Sequence, residues 1–254
     1  MSEHDFNVIR SAGFVLAVVI AVGLQRLTPH ARLRGSWTAN CSLWGVNLAV
    51  LGVVCGACGF TVARWAAAAG VGLLAVVSAP RWLAIAASVL ALDLVSYWWH
   101  RANHRLGVLW RFHRVHHSDL TFTVSTGVRF HPGELVLSLP LRLAAVALLG
   151  VPPEGVAIFE VCFTVANLVE HGDIDLPAPL EHFVDRALIT PALHRWHHAQ
   201  TWTQLNTNFG TVFAVWDRLF GTYHRSSSAT PVKTGLPGVA TPTGFVQALV
   251  LPAL

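Results

Sequence analysis

The sequence predicts an all-α protein, a multi-spanning transmembrane helical bundle with a histidine-rich dimetal site at its cytosolic side. Three observations support this fold class. Hydrophobic residues make up 54% of the 254 residues and charged residues only 12%, about half of the roughly 25% that is usual in soluble domains. Several apolar runs approach the ~20 residues that a helix needs to cross a bilayer core. Ten of the 14 histidines lie where these runs give way to more polar segments.

The first three predicted elements are spans. Residues 9–24 form an apolar run without a basic leader, so we expect a retained span rather than a cleaved signal peptide. Further apolar runs cover residues 43–63 and 82–99, each close to the length of a spanning helix. Residues 66–78 are apolar but too short to span alone, and the sequence leaves open whether they extend a helix, re-enter the membrane or lie at its interface.

A helical hairpin is predicted to follow. Apolar runs at residues 135–151 and 156–169 are separated by Gly150-Val-Pro-Pro. A glycine and two prolines interrupt a helical pattern, so these runs are expected to form two helices joined by a tight turn.

Arginine placement predicts the orientation, since cytoplasmic loops carry the excess of positive charge. Arg26, Arg32 and Arg34 follow the first run, and a larger group follows the third run. That group is Arg101, Arg105, Arg111, Arg114 and Arg129. Both regions, and the histidines beside them, are therefore expected on the cytoplasmic side. Arginine far outnumbers lysine, a bias typical of GC-rich bacterial genomes, so we expect a bacterial inner membrane.

Two other kinds of site fit the sequence less well. A net charge of +4 is compatible with nucleic-acid binding, but the arginines are scattered and form no basic face, so no nucleic-acid partner is expected. Cys55 and Cys58 have the spacing of a redox or metal-binding pair. Their wholly apolar flanks favour a packing role instead.

The histidines form three boxes and two isolated positions. The spacing His-x-x-x-His places two imidazoles on one helix face, and the spacing His-x-x-His-His occurs twice. The isolated histidines lie at the ends of the predicted hairpin. In chain order, the predicted metal ligands are His100, His104, His113, His116, His117, His131, His171, His194, His197 and His198. Imidazole suits iron, zinc, copper and nickel, and ten ligands are too many for one ion. The sequence therefore predicts two metal ions.

Four polar residues are candidates to support the ligands. Asp93, seven residues before His100 and on the same helix face, is suited to accept a hydrogen bond from a ligating imidazole, although a buried aspartate also pairs with arginine. Glu134 and Glu170 border the two isolated histidines and either act likewise or lie at the interface. Asn208 is a candidate hydrogen-bond partner, ligand or loop cap.

Beyond the boxes, several motifs extend over residues 93–223. They are Asp93 before the first box, Trp110-Arg-Phe-His-Arg-Val-His-His, Arg129-Phe-His-Pro, Thr190-Pro-Ala-Leu-His, Asn208-Phe-Gly and Trp216-Asp-Arg-Leu-Phe-Gly-Thr-Tyr. With the boxes, this set resembles the fatty acid hydroxylase superfamily of sterol desaturases and lipid hydroxylases. The resemblance implies a non-haem di-iron site held by the box histidines, a helical cap, and O2-dependent hydroxylation or desaturation.

The resemblance also divides the chain. Residues 1–81 are expected to be N-terminal transmembrane helices, residues 82–225 a fatty acid hydroxylase-like domain, and residues 226–254 a C-terminal tail. Two positions depart from the family pattern: Asn206 stands where members often have aspartate, and Glu170 stands where glutamine is common. These departures affect the surroundings of the ligands more than the ligands themselves.

The cofactors expected are two iron ions, with O2 as co-substrate, because oxidation of an unactivated C–H bond needs a redox-active metal. Zinc is redox-silent but competes well for imidazole sites in purified samples. No fused haem domain is expected, so electrons are expected from a separate ferredoxin, cytochrome or reductase. The lipid substrate is expected to enter laterally from the bilayer.

The leading functional hypothesis is a membrane di-iron monooxygenase that hydroxylates a C–H bond of a lipid. A lipid desaturase uses the same site and is the first alternative. Alternatives of another class are a zinc-dependent membrane hydrolase, although no His-Glu-x-x-His motif occurs, and a metal-binding transporter. The sequence does not identify the lipid, the carbon oxidised, the electron donor or the oligomeric state.

Overall fold

The computed structural model describes residues 1–33, 35–54, 58–78, 80–225 and 232–254. This part of the chain is helical and contains no β-strand longer than an isolated bridge. Its α-helices are α1 Glu3–Leu27, α2 Trp37–Val54, α3 Cys58–Ala69, α4 Leu73–Val76, α5 Arg81–Arg105, α6 Gly107–His117, α7 Pro132–Leu149, α8 Pro153–Glu170, α9 Ala178–Val184, α10 Pro191–His197, α11 Trp202–Leu205, α12 Val215–Leu219 and α13 Phe245–Val250. The predicted all-α bundle is confirmed. Arg34 and Cys55, used in the orientation and cysteine predictions, lie outside the described residues.

A search of the described residues finds four stretches able to cross a membrane by length and composition, the second of which continues across residues 55–57 outside the described ranges. They are Glu3–Leu27, Trp37–Val76, Arg81–Arg105 and Pro132–Leu149. Their outward faces are apolar, as at Val19, which is 63% exposed. Exposing a continuous apolar face to water costs free energy, whereas exposing it to lipid does not. The protein is therefore a membrane protein.

Helix α8 lies at the centre of the bundle and packs against α1, α3 and α5. Glu154, in its first turn, contacts both the N-terminal amine of Met1 (3.4 Å) and Arg81 (2.6 Å). At the other end, Pro29 after α1 pairs with Ile174 after α8. Helices α1, α5 and α8 thus run in the same direction, and the segments that follow them meet at one end of the bundle.

The predicted hairpin is formed by α7 and α8. Gly150 ends α7 with a φ of 68°, a left-handed conformation that glycine adopts without steric cost. Pro153 occupies the first turn of α8, where its missing N–H and fixed φ are tolerated.

Residues 66–78 remain at the end of the bundle away from the histidines. The Phe60 ring in α3 lies 5.0 Å from the Phe6 ring near the start of α1. Gly72 lies so close to Gly150 that a Cβ on Gly72 would approach the Gly150 nitrogen to 2.2 Å. The start of α3 and the residue before α4 therefore contact the same end of the bundle. The segment between them does not return to the histidine end.

A buried polar network joins the histidine end to the bundle. The fully buried Arg129 guanidinium donates to Asn40 Oδ1 (2.7 Å) and to the Thr243 carbonyl (2.9 Å). Asp119 accepts from Asn40 Nδ2 (2.8 Å) and Thr126 Oγ1 (2.9 Å). Residues 232–254 thus pack against the histidine end, and the predicted boundary at residue 225 stays a prediction.

Candidate metal centre

The first two histidine boxes are brought together by a sharp helical corner. Helix α5 ends at Arg105 and α6 begins at Gly107, so a single residue, Leu106, separates them. The His104 and His113 rings consequently lie 4.9 Å apart, although they belong to different helices. The C-terminal end of α5 thus places its imidazoles against those of α6.

The third box lies on α10, a short helix with strong local start signals. The Thr190 side chain accepts from the Leu193 N–H (3.3 Å), and Pro191 occupies the first turn. Both features favour a helix start at this position. The helix presents its histidines to those of α5 and α6.

The histidines fall into two groups in which the ligand atoms lie within 4.8 Å of one another. The first group takes imidazoles from all three boxes: His100, His104, His113, His117 and His197. The second takes imidazoles from the last two boxes and from the end of α8: His116, His171, His194 and His198. The groups are adjacent, since the stacked His117 and His198 rings are 4.1 Å apart.

Distances between ring nitrogens fit metal coordination. His171 Nε2 lies 3.0 Å from His116 Nε2 and 2.9 Å from His194 Nε2. In the first group, His117 Nε2 lies 3.2 Å from His113 Nε2. Two imidazole nitrogens that each lie about 2.0–2.1 Å from one ion are separated by roughly 3 Å when they subtend a right angle. The nitrogens therefore converge as ligands of a common ion would.

The outer ring nitrogens hold the imidazoles in position. Five histidines donate from Nδ1 to an oxygen: His100 to Phe209 O (2.8 Å), His113 to Glu134 Oε1 (2.9 Å), His116 to Arg129 O (3.2 Å), His171 to Asn167 O (2.6 Å) and His197 to Thr207 O (2.7 Å). This tautomer leaves a lone pair on Nε2, which is the atom that a metal would bind. His100 Nε2 and His197 Nε2 are buried without a hydrogen-bond partner among the described residues.

Burial favours the neutral form of the clustered histidines. Burial lowers the pKa of His197 to about 3 and that of His171 to about 4. Burial also lowers the pKa values of His116, His194 and His198 well below the usual value, and the neighbouring imidazoles add to the shift. Neutral imidazole is the form that binds metal, so the site is ready to bind metal at neutral pH.

The structure brings nine of the ten predicted ligands together but leaves out His131. His131 caps the N-terminus of α7: its Nδ1 accepts from the Gly133 N–H (2.9 Å), and its Nε2 lies 3.2 Å from the Leu249 carbonyl. Both ring nitrogens are engaged away from the two groups. The prediction of a ligand at this position is not supported by its placement.

Two of the predicted supporting residues lie beside the ligands. Glu134 Oε1 accepts from His113 Nδ1 (2.9 Å) and from Asn103 Nδ2 (3.2 Å), so it orients a ligand of the first group. Glu170 lies 3.8 Å from the Nδ1 atoms of both His171 and His194, beyond hydrogen-bond distance. It is nevertheless buried next to the second group.

The other two supporting residues act at a distance from the ligands. Among the described residues, Asp93 hydrogen-bonds neither a histidine ring nitrogen nor an arginine. It accepts from the Val212 and Phe213 N–H groups (3.2 and 3.1 Å) and from Trp216 Nε1 (2.8 Å). Asn208 has the loop-capping role, since its side chain donates to the Leu193 carbonyl (3.0 Å). Both residues position the loop that supports α10.

Sequence reasoning overlooked Asn103 and Asp217. Asn103, buried one residue before His104, is the second donor to Glu134. Asp217 accepts from the Phe209 and Gly210 N–H groups (2.7 and 2.8 Å) and so fixes the loop whose Phe209 carbonyl holds His100. Its place in the Trp216-Asp-Arg motif was the only sequence signal for this role.

A cavity of about 130 Å³ opens onto the ligands. Its walls include imidazoles of both groups, among them His100 and His171, and the apolar side chains of Phe130, Leu135 and Phe163. The site thus combines a cluster of neutral nitrogen ligands with an apolar space between α5, α7 and α8.

Comparisons with known proteins agree with this site. The family model for fatty acid hydroxylase matches residues 85–222. An ornithine lipid hydroxylase of Rhizobium tropici is 33% identical over 158 residues, covering 61% of this chain and 46% of the relative. An alkylglycerol monooxygenase of Danio rerio is 33% identical over 144 residues, covering 56% and 30%. A cholesterol 25-hydroxylase-like protein of Danio rerio is 32% identical over 143 residues, covering 55% of each.

The matched part spans less than half of the first two relatives. No solved structure matches the chain. The family match covers more than half of the chain and contains all nine clustered histidines. The chain therefore belongs to the fatty acid hydroxylase family.

Proposed function

We propose that this protein is an O2-dependent, non-haem di-iron monooxygenase that hydroxylates a C–H bond of a membrane lipid. The observation that carries the proposal is the convergence of nine histidines, all buried except the partly buried His100 and His104, into two adjacent groups. The relatives support the substrate class, because each is named for oxidation of a lipid.

The first group of histidines would hold one iron ion and the second group the other. Iron, when bound, supplies the redox chemistry with O2 and two electrons that C–H oxidation needs, whereas zinc is redox-silent. Nitrogen ligands of this kind also suit copper and nickel, so the metal identity rests on the chemistry proposed.

The protein's own residues hold the ligands and shape the reaction space. Backbone carbonyls and Glu134 accept from the outer ring nitrogens and keep Nε2 free. Phe130 lies parallel to the His116 ring with centroids 4.5 Å apart. With Phe163 it lines the cavity, where the two apolar rings would limit the access of water. The apolar walls favour entry of a lipid directly from the bilayer.

The remaining features of the proposal concern the whole protein. We place the histidine end on the cytoplasmic side of a bacterial inner membrane, because arginines cluster at that end. Residues 1–81 would act as membrane helices, residues 82–225 as the catalytic domain and residues 226–254 as a tail. Electrons would come from a separate ferredoxin, cytochrome or reductase.

Analysis of lipid products tests the reaction. Membranes from cells that express the wild-type chain would be compared by mass spectrometry with membranes that contain the His194→Ala variant. A lipid that gains one oxygen atom only with the wild type supports hydroxylation. A lipid that instead loses two hydrogen atoms identifies a desaturase, and identical lipids in both samples, with iron bound to the wild type, contradict lipid oxidation.

A further inference from the structure

Arg142 is a charged residue inside a candidate membrane span. It lies on α7, which is apolar enough to cross a membrane, and it follows Glu134 by about 12 Å along the helix axis at 1.5 Å per residue. Ionisable side chains within spanning helices are costly to bury in lipid and are usually functional. The described structure gives this arginine no partner that would explain its presence.

The exposed Arg142 side chain has the Glu160 and Glu134 carboxylates within electrostatic range but does not contact either directly. It makes no ion pair or hydrogen bond with any residue in the described ranges, and its guanidinium lies over the Phe163 ring, whose centroid is 5.4 Å away. The nearby Glu160 carboxylate is already paired with Arg10 at 2.5 Å. Because Glu160 is paired with Arg10 and Glu134 is hydrogen-bonded to His113, the hydrogen-bond donors of Arg142 remain available to a ligand.

Arg142 stands where two cavities meet. It lines the 130 Å³ cavity that opens onto the histidines, and it lines a second cavity of about 190 Å³. Ser96, Leu135 and Ser138 are also shared by both cavities. The second cavity extends away from the histidines between mainly apolar side chains, including those of Val146 and Phe159, and the Arg10–Glu160 pair also lines it.

A wider groove connects this junction with the outside of the bundle. The groove has a volume of about 630 Å³ and is lined by residues of α1, α2 and α8 together with Arg142. A lipid could thus reach the junction sideways, without passing through water.

We propose that Arg142 binds the anionic group of the lipid substrate, a carboxylate or a phosphate, while the hydrocarbon chain lies along the apolar side chains of the second cavity. The carbon presented to the histidines would then lie on the charged-group side of the lipid, because the hydrocarbon chain extends away from the histidines. This inference rests on the proposed function and adds a substrate class to it. Guanidinium is well suited to this role because its planar donors match carboxylate and phosphate oxygens.

Lipid binding without turnover tests the proposal. The full chain, purified in an uncharged detergent, would be titrated with hexadecanoate, hexadecyl phosphate and the neutral hexadecanol. A charge-assisted hydrogen bond predicts that the preferred anion binds roughly 10- to 150-fold more tightly than hexadecanol. Tighter binding of hexadecanoate identifies a carboxylate substrate, and tighter binding of hexadecyl phosphate identifies a phosphate.

Two variants and one control assign the preference to Arg142. Arg142→Gln should abolish the preference for the anion and leave hexadecanol binding unchanged, whereas Arg142→Lys should retain part of it. Arg64→Gln, which removes an exposed arginine of α3 outside both cavities, should behave as wild type.

Two results would overturn the proposal: a wild-type chain that binds all three amphiphiles equally, or an Arg142→Gln variant that keeps the anion preference. The comparison of the three amphiphiles on the wild-type chain tests the proposal even if the Arg142→Gln variant does not fold. Iron content of the same samples tests the metal centre separately, because lipid binding in this assay requires no oxidation.

Discussion

Removal of the Glu134 carboxylate should weaken the first metal group selectively. In the structure, Glu134 Oε1 accepts from His113 Nδ1 at 2.9 Å and from Asn103 Nδ2 at 3.2 Å. Glu134→Ala leaves both donors buried without this acceptor. Loss of a partner that orients a metal-bound histidine typically costs 10–100-fold in metal affinity, equivalent to about 1.4–2.7 kcal/mol.

The assay is metal retention against a graded series of chelator concentrations. The wild type should lose its metal over a single range of chelator concentration. Glu134→Ala should lose about half of its metal at a chelator concentration roughly 10–100-fold lower. Glu134→Gln keeps an acceptor oxygen and should fall between them. Glu170→Ala is the matched control, because Glu170 is buried near the second group but lies 3.8 Å from its nearest imidazole nitrogens. Equal metal retention in Glu134→Ala and wild type would refute the reasoning.

Three further predictions follow from the site. His131→Ala should keep the wild-type metal content and His197→Ala should lose metal, because only His197 belongs to a ligand group; equal losses in metal analysis would contradict this assignment. Asp93→Asn should lower the free energy of unfolding by about 1–3 kcal/mol, since a carboxylate that accepts three hydrogen bonds is altered; an unchanged melting temperature would contradict it. Metal-free protein should lose stability as pH falls from about 6.5 towards 4, because the folded-state pKa values of His171 (about 4) and His197 (about 3) lie below the unfolded value; melting temperatures that stay constant over this range would contradict it.

The long helices were predictable because each is set by local composition. Apolar runs identified α1, α5, α7 and α8, and Gly150 with Pro153 identified the turn of the hairpin. The position of residues 66–78 was not predictable, because it depends on the close approach of Gly72 to Gly150. No pattern within the segment itself encodes that tertiary contact.

The ligand groups were predictable in part. Spacing within each box places histidines on one helix face, but the division of the boxes between two groups depends on the corner at Leu106 and on the docking of α10. His131 illustrates the limit of motif reasoning, since its position directly before the first turn of α7 uses Nδ1 as a helix cap.

Asp93 shows a second limit. Seven residues of helix place it on the His100 face but about 10 Å away along the axis, too far to contact that ring. It reaches the loop around Val212 and Trp216 instead. Periodicity identifies the face of a helix, whereas the partner of that face is determined by the tertiary fold.

Iron analysis of the purified full chain tests the central claim most directly. Protein supplied with iron during expression would be compared with a His171→Ala, His194→Ala double variant, which removes two ligands of the second group. The two-group arrangement predicts two iron ions per wild-type chain and one per chain of the variant. A well-folded wild-type chain that binds no metal, or a variant that still binds two ions, would contradict the account.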